Sequence, residues 1–139
     1  MTARPPLAET NVALVRAGFD DLNAGDIDAC AARLAPDFVI HLAELPDPLF
    51  GAAVWREGVA VIQRGIPDLR AHIEDIFAAG DKVAVRVTFR GTHTGEYLGF
   101  APTGRSVQYV SHEFYRVADG LIAEEWICSA TASLLAQLR

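Results

Sequence analysis

Cysteine is nearly absent. Cys30 and Cys128 are the two thiols in 139 residues, and no CxxC spacing exists. That removes a disulfide framework and thiolate metal clusters; the expectation is two reduced, buried thiols in a cytosolic protein. Four histidines are present without an HExxH or similar spacing, so no metal is expected. No GxGxxG opens a helix after a strand and no GxSxG occurs, which leaves out a dinucleotide cofactor and a nucleophile elbow. Positive charge is scarce: 12 basic residues stand against 18 acidic ones, for a net charge of −6. A nucleic-acid partner therefore lacks its electrostatic footprint. Lysine is almost missing, because every basic residue except Lys82 is arginine. No apolar run approaches the roughly 18 residues of a membrane span, and the opening MTARPPLAET has no apolar signal core.

What is present describes one domain over residues 1–139, with 51% apolar and 22% charged residues. Residues 1–6, ending in Pro5-Pro6, are expected to be disordered. Val12, Val15, Phe19 and Leu22 fall on one helical face between Leu7 and Asn23, and Gly25 closes that helix. Asp26 is an N-cap for a second helix, Ile27 to Leu34. Phe38 to His41 reads as a short strand and Leu45 to Gly51 as a loop. Trp55, Val59 and Ile62 mark a third helix from Ala52 to Ile66, ended by Pro67.

The second half alternates. Leu69 to Phe77 is a strand, and Val83, Val85, Val87 and Phe89 give the next one a buried face. A loop rich in Gly, Thr and Pro spans 91–105. Two further strands, Ser106 to Val117 and Leu121 to Ile127, meet at Ala118-Asp119-Gly120, a hairpin signal. The tail, Ala130 to Leu138, is helical. Helices first and antiparallel strands last predict an α+β fold rather than a parallel sheet. An open sheet with one broad face uncovered also predicts a homodimer.

Gly91-Thr92-His93-Thr94-Gly95, followed by Gly99-Phe100-Ala101-Pro102-Thr103-Gly104-Arg105, resembles the signature loop of the SnoaL-like polyketide cyclases. Pro67-Asp68-Leu69, Gly80-Asp81-Lys82-Val83, Arg116-Val117-Ala118-Asp119-Gly120, Glu125-Trp126 and the closing Leu134-Leu135-Ala136-Gln137-Leu138 fit the same pattern over essentially the whole chain. The resemblance implies an NTF2-like cone: a curved, mostly antiparallel sheet wrapped around three N-terminal helices, with a pocket at the open end. It implies a cofactor-free enzyme acting on an apolar, oxygenated small molecule. In the family an acidic side chain just after the Glu-Trp segment moves the proton. Ungapped register puts Ile127 there, and Ala130 at the nearby position often held by Asp. Neither can carry a proton.

Replacements must come from strand parity. A three-residue turn with Gly120 left-handed pairs Glu113 with Glu125 and Ser111 with Ile127. Tyr109, Ser111, Glu113, Tyr115, Ala123, Glu125 and Ile127 then share one surface. By the resemblance that surface faces the pocket, where two opposed carboxyls cannot both ionise easily. Glu113 and Glu125 are the expected acid–base pair, and His41, at a strand end, a further proton donor. Tyr109, Ser111, Ile127, Trp55, Phe50 and His93 are the expected substrate-binding residues. Two alternatives compete. If the other surface faces the helices, His112 is interior and both carboxylates are solvated; a two-residue turn breaks the Glu113–Glu125 pairing. The functions that follow are cyclisation or isomerisation by proton transfer, ligand binding without chemistry, or cofactorless hydroxylation.

Overall fold

The computed structural model describes residues 6–139, so the expected disorder of 1–6 lies almost wholly outside the described residues. In chain order the elements are α1 (Leu7–Asn23), α2 (Ile27–Ala32), β1 (Leu34–Leu42), β2 (Leu49–Phe50), α3 (Ala52–Gly65), β3 (Arg70–Ala79), β4 (Lys82–Thr92), β5 (Ser106–Ala118), β6 (Leu121–Ser129) and α4 (Thr131–Gln137). The six strands form one sheet in the order β2-β1-β6-β5-β4-β3. All neighbours are antiparallel except β1 and β6. This is the expected α+β arrangement. No helix among the described residues is long and apolar enough to cross a membrane.

α1 forms because its apolar spacing follows the helical period, and it buries Val15 and Phe19 against the sheet. Asn23 ends it by pairing with β3: its side chain donates to the Ala71 carbonyl and accepts from the Ala71 amide. Those two bonds satisfy backbone groups on an edge strand that would otherwise be open to pairing. Asp26 caps α2 by accepting from the Ala29 amide, as its position predicts. β1 is longer than its apolar core suggests. It begins at Leu34 and carries Pro36 where the β1–β6 register is interrupted, between the Leu34–Ile122 and Val39–Glu124 pairs, so the ring costs no ladder bond there.

The inner face is read from burial. Val83, Val85, Val87 and Phe89 of β4 and Val107, Tyr109, Ser111, Glu113, Tyr115 and Val117 of β5 are all buried. The even residues of β5 are largely exposed, Phe114 and Val110 among them. The odd-numbered surface thus faces the helices, and the His112-inward alternative is ruled out. Cys30 is buried as expected, but Cys128 falls on the outer face and is exposed.

The turn differs from the three-residue form. Ala118 pairs with Leu121, so only Asp119 and Gly120 lie in it, both left-handed at φ 53° and 74°. That matches a two-residue hairpin turn whose twist suits the flanking strands. The ladder then runs Val117–Ile122 and Arg116–Glu124, leaving Ala123 as a bulge. Turn and bulge together move every later pairing by two residues. A two-residue shift keeps each side chain on its face, which is why parity survives although the pairings do not.

Candidate active site

Glu113 faces Ile127 across the β5–β6 ladder, Tyr115 faces Glu125, and Ser111 faces Ser129. The two carboxyls are therefore one pair out of line, not directly opposed. Both are 5% exposed. Ser111 donates its hydroxyl to Glu113 Oε2 at 2.7 Å, and the Tyr115 hydroxyl donates to Glu113 Oε1. Ser111 and Ser129 share a hydrogen bond of 2.8 Å, so a polar chain runs Ser129–Ser111–Glu113–Tyr115 inside the fold.

No Lys or Arg is buried among the described residues, so nothing cationic in the interior neutralises this pair. Burial pushes the Glu113 carboxyl above its ordinary 4.5, and the hydrogen bonds from Ser111 and Tyr115 pull it partly back. Burial, then the charge of Glu113, pushes Glu125 well above the same value. Among the described residues Glu125 has no side-chain hydrogen bond to offset this. Glu113, with two donors on its oxygens, is therefore the more readily ionised of the two, and Glu125 the more firmly protonated. Burial, then the nearby carboxyls, also raises Tyr115 far above 10 and keeps it a donor.

Around this pair stand the remaining inner-face groups. Tyr109 is buried and stacked on Phe89 with ring centroids 5.1 Å apart. Burial raises its phenol, with smaller contributions from Tyr97 and Glu113, which places all three in one electrostatic neighbourhood. Ile127 and Trp55 are partly buried against the core. Tyr97 and Ser129 were not expected. Tyr97 sits outside any alternating run; its one trace in the sequence is Gly65, where a Cβ would collide with the Tyr97 side chain. Ser129 was hidden by the turn and the Ala123 bulge, which together put it, not Ile127, opposite Ser111.

Three expected site residues lie elsewhere. His41 pairs with Trp126, so it is on the outer face. Its Nε2 is 2.6 Å from Glu124 Oε2, Arg116 Nε donates to Glu124 Oε1 at 3.0 Å, and the imidazole stacks on Trp126. Burial acts to raise Glu124, but the hydrogen bonds and charges of His41 and Arg116 outweigh it and leave the carboxyl below its ordinary value. Phe50 is also on the outer face, because Val39 is its partner, and it is 66% exposed. His93 is fully buried, but Val85 is the residue opposite Glu113 and His93 is eight positions further along the same stretch of chain. At ~3.3 Å per residue that is roughly 26 Å away. Its Nδ1 accepts the Thr103 amide at 3.2 Å and contacts the Thr103 hydroxyl at 2.9 Å, so it locks the 93–104 loop.

The model of the SnoaL-like polyketide cyclase family matches residues 13–138. IdmH of Streptomyces antibioticus, a candidate polyketide cyclase, superposes with a TM-score of 0.82 at 35% identity, over 92% of this chain and 97% of its own. AclR of Streptomyces galilaeus, a candidate hydroxylase, does so with a TM-score of 0.87 at 27% identity, over 94% and 82%. A candidate SnoaL-like polyketide cyclase from Jannaschia sp. CCS1, 24% identical, shares the fold with a TM-score of 0.88 over 99% and 97%. No curated protein sequence matches significantly.

Proposed function

Because this chain belongs to the SnoaL-like polyketide cyclase family, we propose that its interior carboxyl pair moves a proton on an apolar, oxygenated small molecule, closing a ring or shifting a double bond. The observation that carries the reading is the pair itself: Glu113 and Glu125 are both buried, on one face, with unequal hydrogen-bonding. Two carboxyls both raised by burial, one held by two donors and the other by none, can divide into a base and an acid in one site.

The steps follow from those states. Glu113 keeps a lone pair on each oxygen after accepting from Ser111 and Tyr115. It takes the proton from a carbon next to a carbonyl, and the C–H electron pair becomes the C=C of an enolate. Protonated Glu125 donates to the oxygen on which the negative charge develops. The enolate carbon then attacks a second carbonyl of the same molecule, whose oxygen takes the proton from Glu113 as the ring closes, or it regains that proton from Glu113 at another carbon. In either case the first carbonyl re-forms and its oxygen returns the proton to Glu125. Tyr109, Tyr97, Trp55 and Ile127 supply the apolar and aromatic walls for such a substrate.

Hydrogen–deuterium exchange at the activated methylene of an aromatic 1,3-diketone, followed by NMR, tests the proton transfer without the natural substrate. The protein should accelerate exchange, and Glu113→Gln should remove the acceleration. Equal exchange with both proteins overturns the assignment.

The likeness to AclR, a candidate hydroxylase, supports a second reading. Here Glu113 deprotonates an electron-rich phenol, and the resulting anion gives its electrons to molecular oxygen. Oxygen uptake that tracks substrate loss separates this from ring closure, which consumes none.

A further inference from the structure

A cleft of about 710 Å³ opens at the end of the sheet where β3, β4 and β5 lie side by side. Arg70, His72, Arg90, Thr92, Ser106 and Gln108 are on its wall. Arg70, His72, Arg90 and Gln108 are exposed on the face opposite the carboxyl pair.

The register of the charges is unusual. Arg70 of β3 is directly opposite Arg90 of β4, and Arg90 is directly opposite Gln108 of β5. Like charges in directly opposed positions, with Cβ atoms ~5 Å apart, destabilise a sheet. Five bases of this acidic chain have acidic partners: Arg33 with Asp21, Arg56 with Asp28, Lys82 with Asp81, Arg86 with Asp75 and Arg116 with Glu124. Among the described residues Arg16, Arg64, Arg105 and Arg139 have none, but none of these four faces another arginine across a ladder. Among the described residues Arg70 and Arg90 form no ion pair. Arg90 is instead oriented by a neutral group, donating from Nε to Gln108 Oε1 at 2.8 Å, which leaves its two Nη groups to bind something else. Asp68, the acid on the wall, accepts from the Thr92 amide and hydroxyl, which tie it to the rim of the cleft.

The geometry points to an anion site in which Arg70 and Arg90 grip the phosphate of a phosphorylated small molecule. Two guanidinium forks offer more donors than the two oxygens of a carboxylate can use, whereas a phosphate monoester presents three acceptor oxygens and close to two negative charges. The cleft volume leaves room beyond the phosphate for an organic portion, with Gln108 and Ser106 as further polar contacts. The site is independent of the proton-transfer chemistry, because its charged residues are on the other face of the sheet.

Titration of ¹⁵N-labelled protein with inorganic phosphate and with phenyl phosphate tests this by NMR. Sodium chloride at matched ionic strength and benzoate are the controls. The amides of Thr92 and Ser106 and the Nε–H groups of Arg70 and Arg90 should shift saturably with both phosphates. In Arg70→Gln and in Arg90→Gln the Thr92 and Ser106 shifts should need about tenfold more phosphate or more. Shifts reproduced by chloride, or unchanged in both variants, overturn the site. Benzoate binding as tightly as phenyl phosphate overturns its preference for phosphate.

Discussion

Tyr115 stands directly across the β5–β6 ladder from Glu125, while its hydroxyl bonds to Glu113, the other carboxyl. One phenol thus separates the two acids along the sheet and stabilises the anion of only one. The proposed division of roles between base and acid rests on that arrangement.

Replacing Glu113 with Gln should lower the exchange rate by about 10²–10⁴-fold, the usual span for a positioned general base. Glu125→Gln keeps a hydrogen-bond donor and should lose less. Rates measured side by side on the same probe check the order.

Tyr115→Phe removes one of the two donors that pull the Glu113 carboxyl downward. Its ionisation must then occur at higher pH, so the ascending limb of the pH–rate profile moves alkaline. Activity lost at neutral pH should return in part as pH rises. A simple packing defect would lower the rate at every pH.

Glu125 also has a signature in stability. Its folded-state carboxyl titrates well above the ordinary 4.5, so between those two points the folded chain holds more protons than the unfolded one. Stability therefore falls as pH rises through that window. Glu125→Gln should flatten the decline and raise the melting temperature at pH 8, as thermal unfolding from pH 4 to 8 would record.

Glu124 carries the opposite sign. Its folded value is lowered, so its contribution is present above the ordinary carboxylate range and fades as the pH falls. With the paired side chains 21–35% exposed, that contribution is about 0.5–1 kcal/mol. Glu124→Gln should cost that much at pH 7 and almost nothing at pH 3. His41→Ala, on the same outer face, should leave catalysis within about twofold, unlike any change at Glu113.

Gly95 has no room for a side chain, since a Cβ there would overlap the Arg64 carbonyl. Gly95→Ala should cost about 3 kcal/mol, seen as a lower denaturation midpoint. It would loosen the loop that brings Tyr97 over the interior, because the Thr94 and Gly95 amides both bond the Gly65 carbonyl.

Much of the architecture was legible in alternation and in punctuation by Gly, Pro and Asp. The buried carboxyls were legible too, since odd-numbered positions of the 106–117 run do face the helices. What failed was finer. Asp119-Gly120 is a pair that suits a two-residue turn, both residues being left-handed, so the three-residue form lost to a signal already present; the compensating bulge at Ala123 has no such signal. His41 and Phe50 were misplaced because a parallel β1–β6 pairing and a two-residue β2 leave no periodic trace to fix which way a side chain points. Tyr97 reaches the site by a loop, and loops have no period.

The bulge at Ala123 makes the chemistry depend on a count. Were Ala123 to take a regular place in the ladder, opposite Arg116, every later position of β6 would swap sides: Glu124 and Trp126 would turn toward the helices, and Glu125 would point into water. Losing Ala123 itself would leave both faces as they are, with Glu124 still opposite Arg116 and Glu125 still opposite Tyr115; a residue added beyond it and drawn into the ladder would evert the surface that carries Glu125.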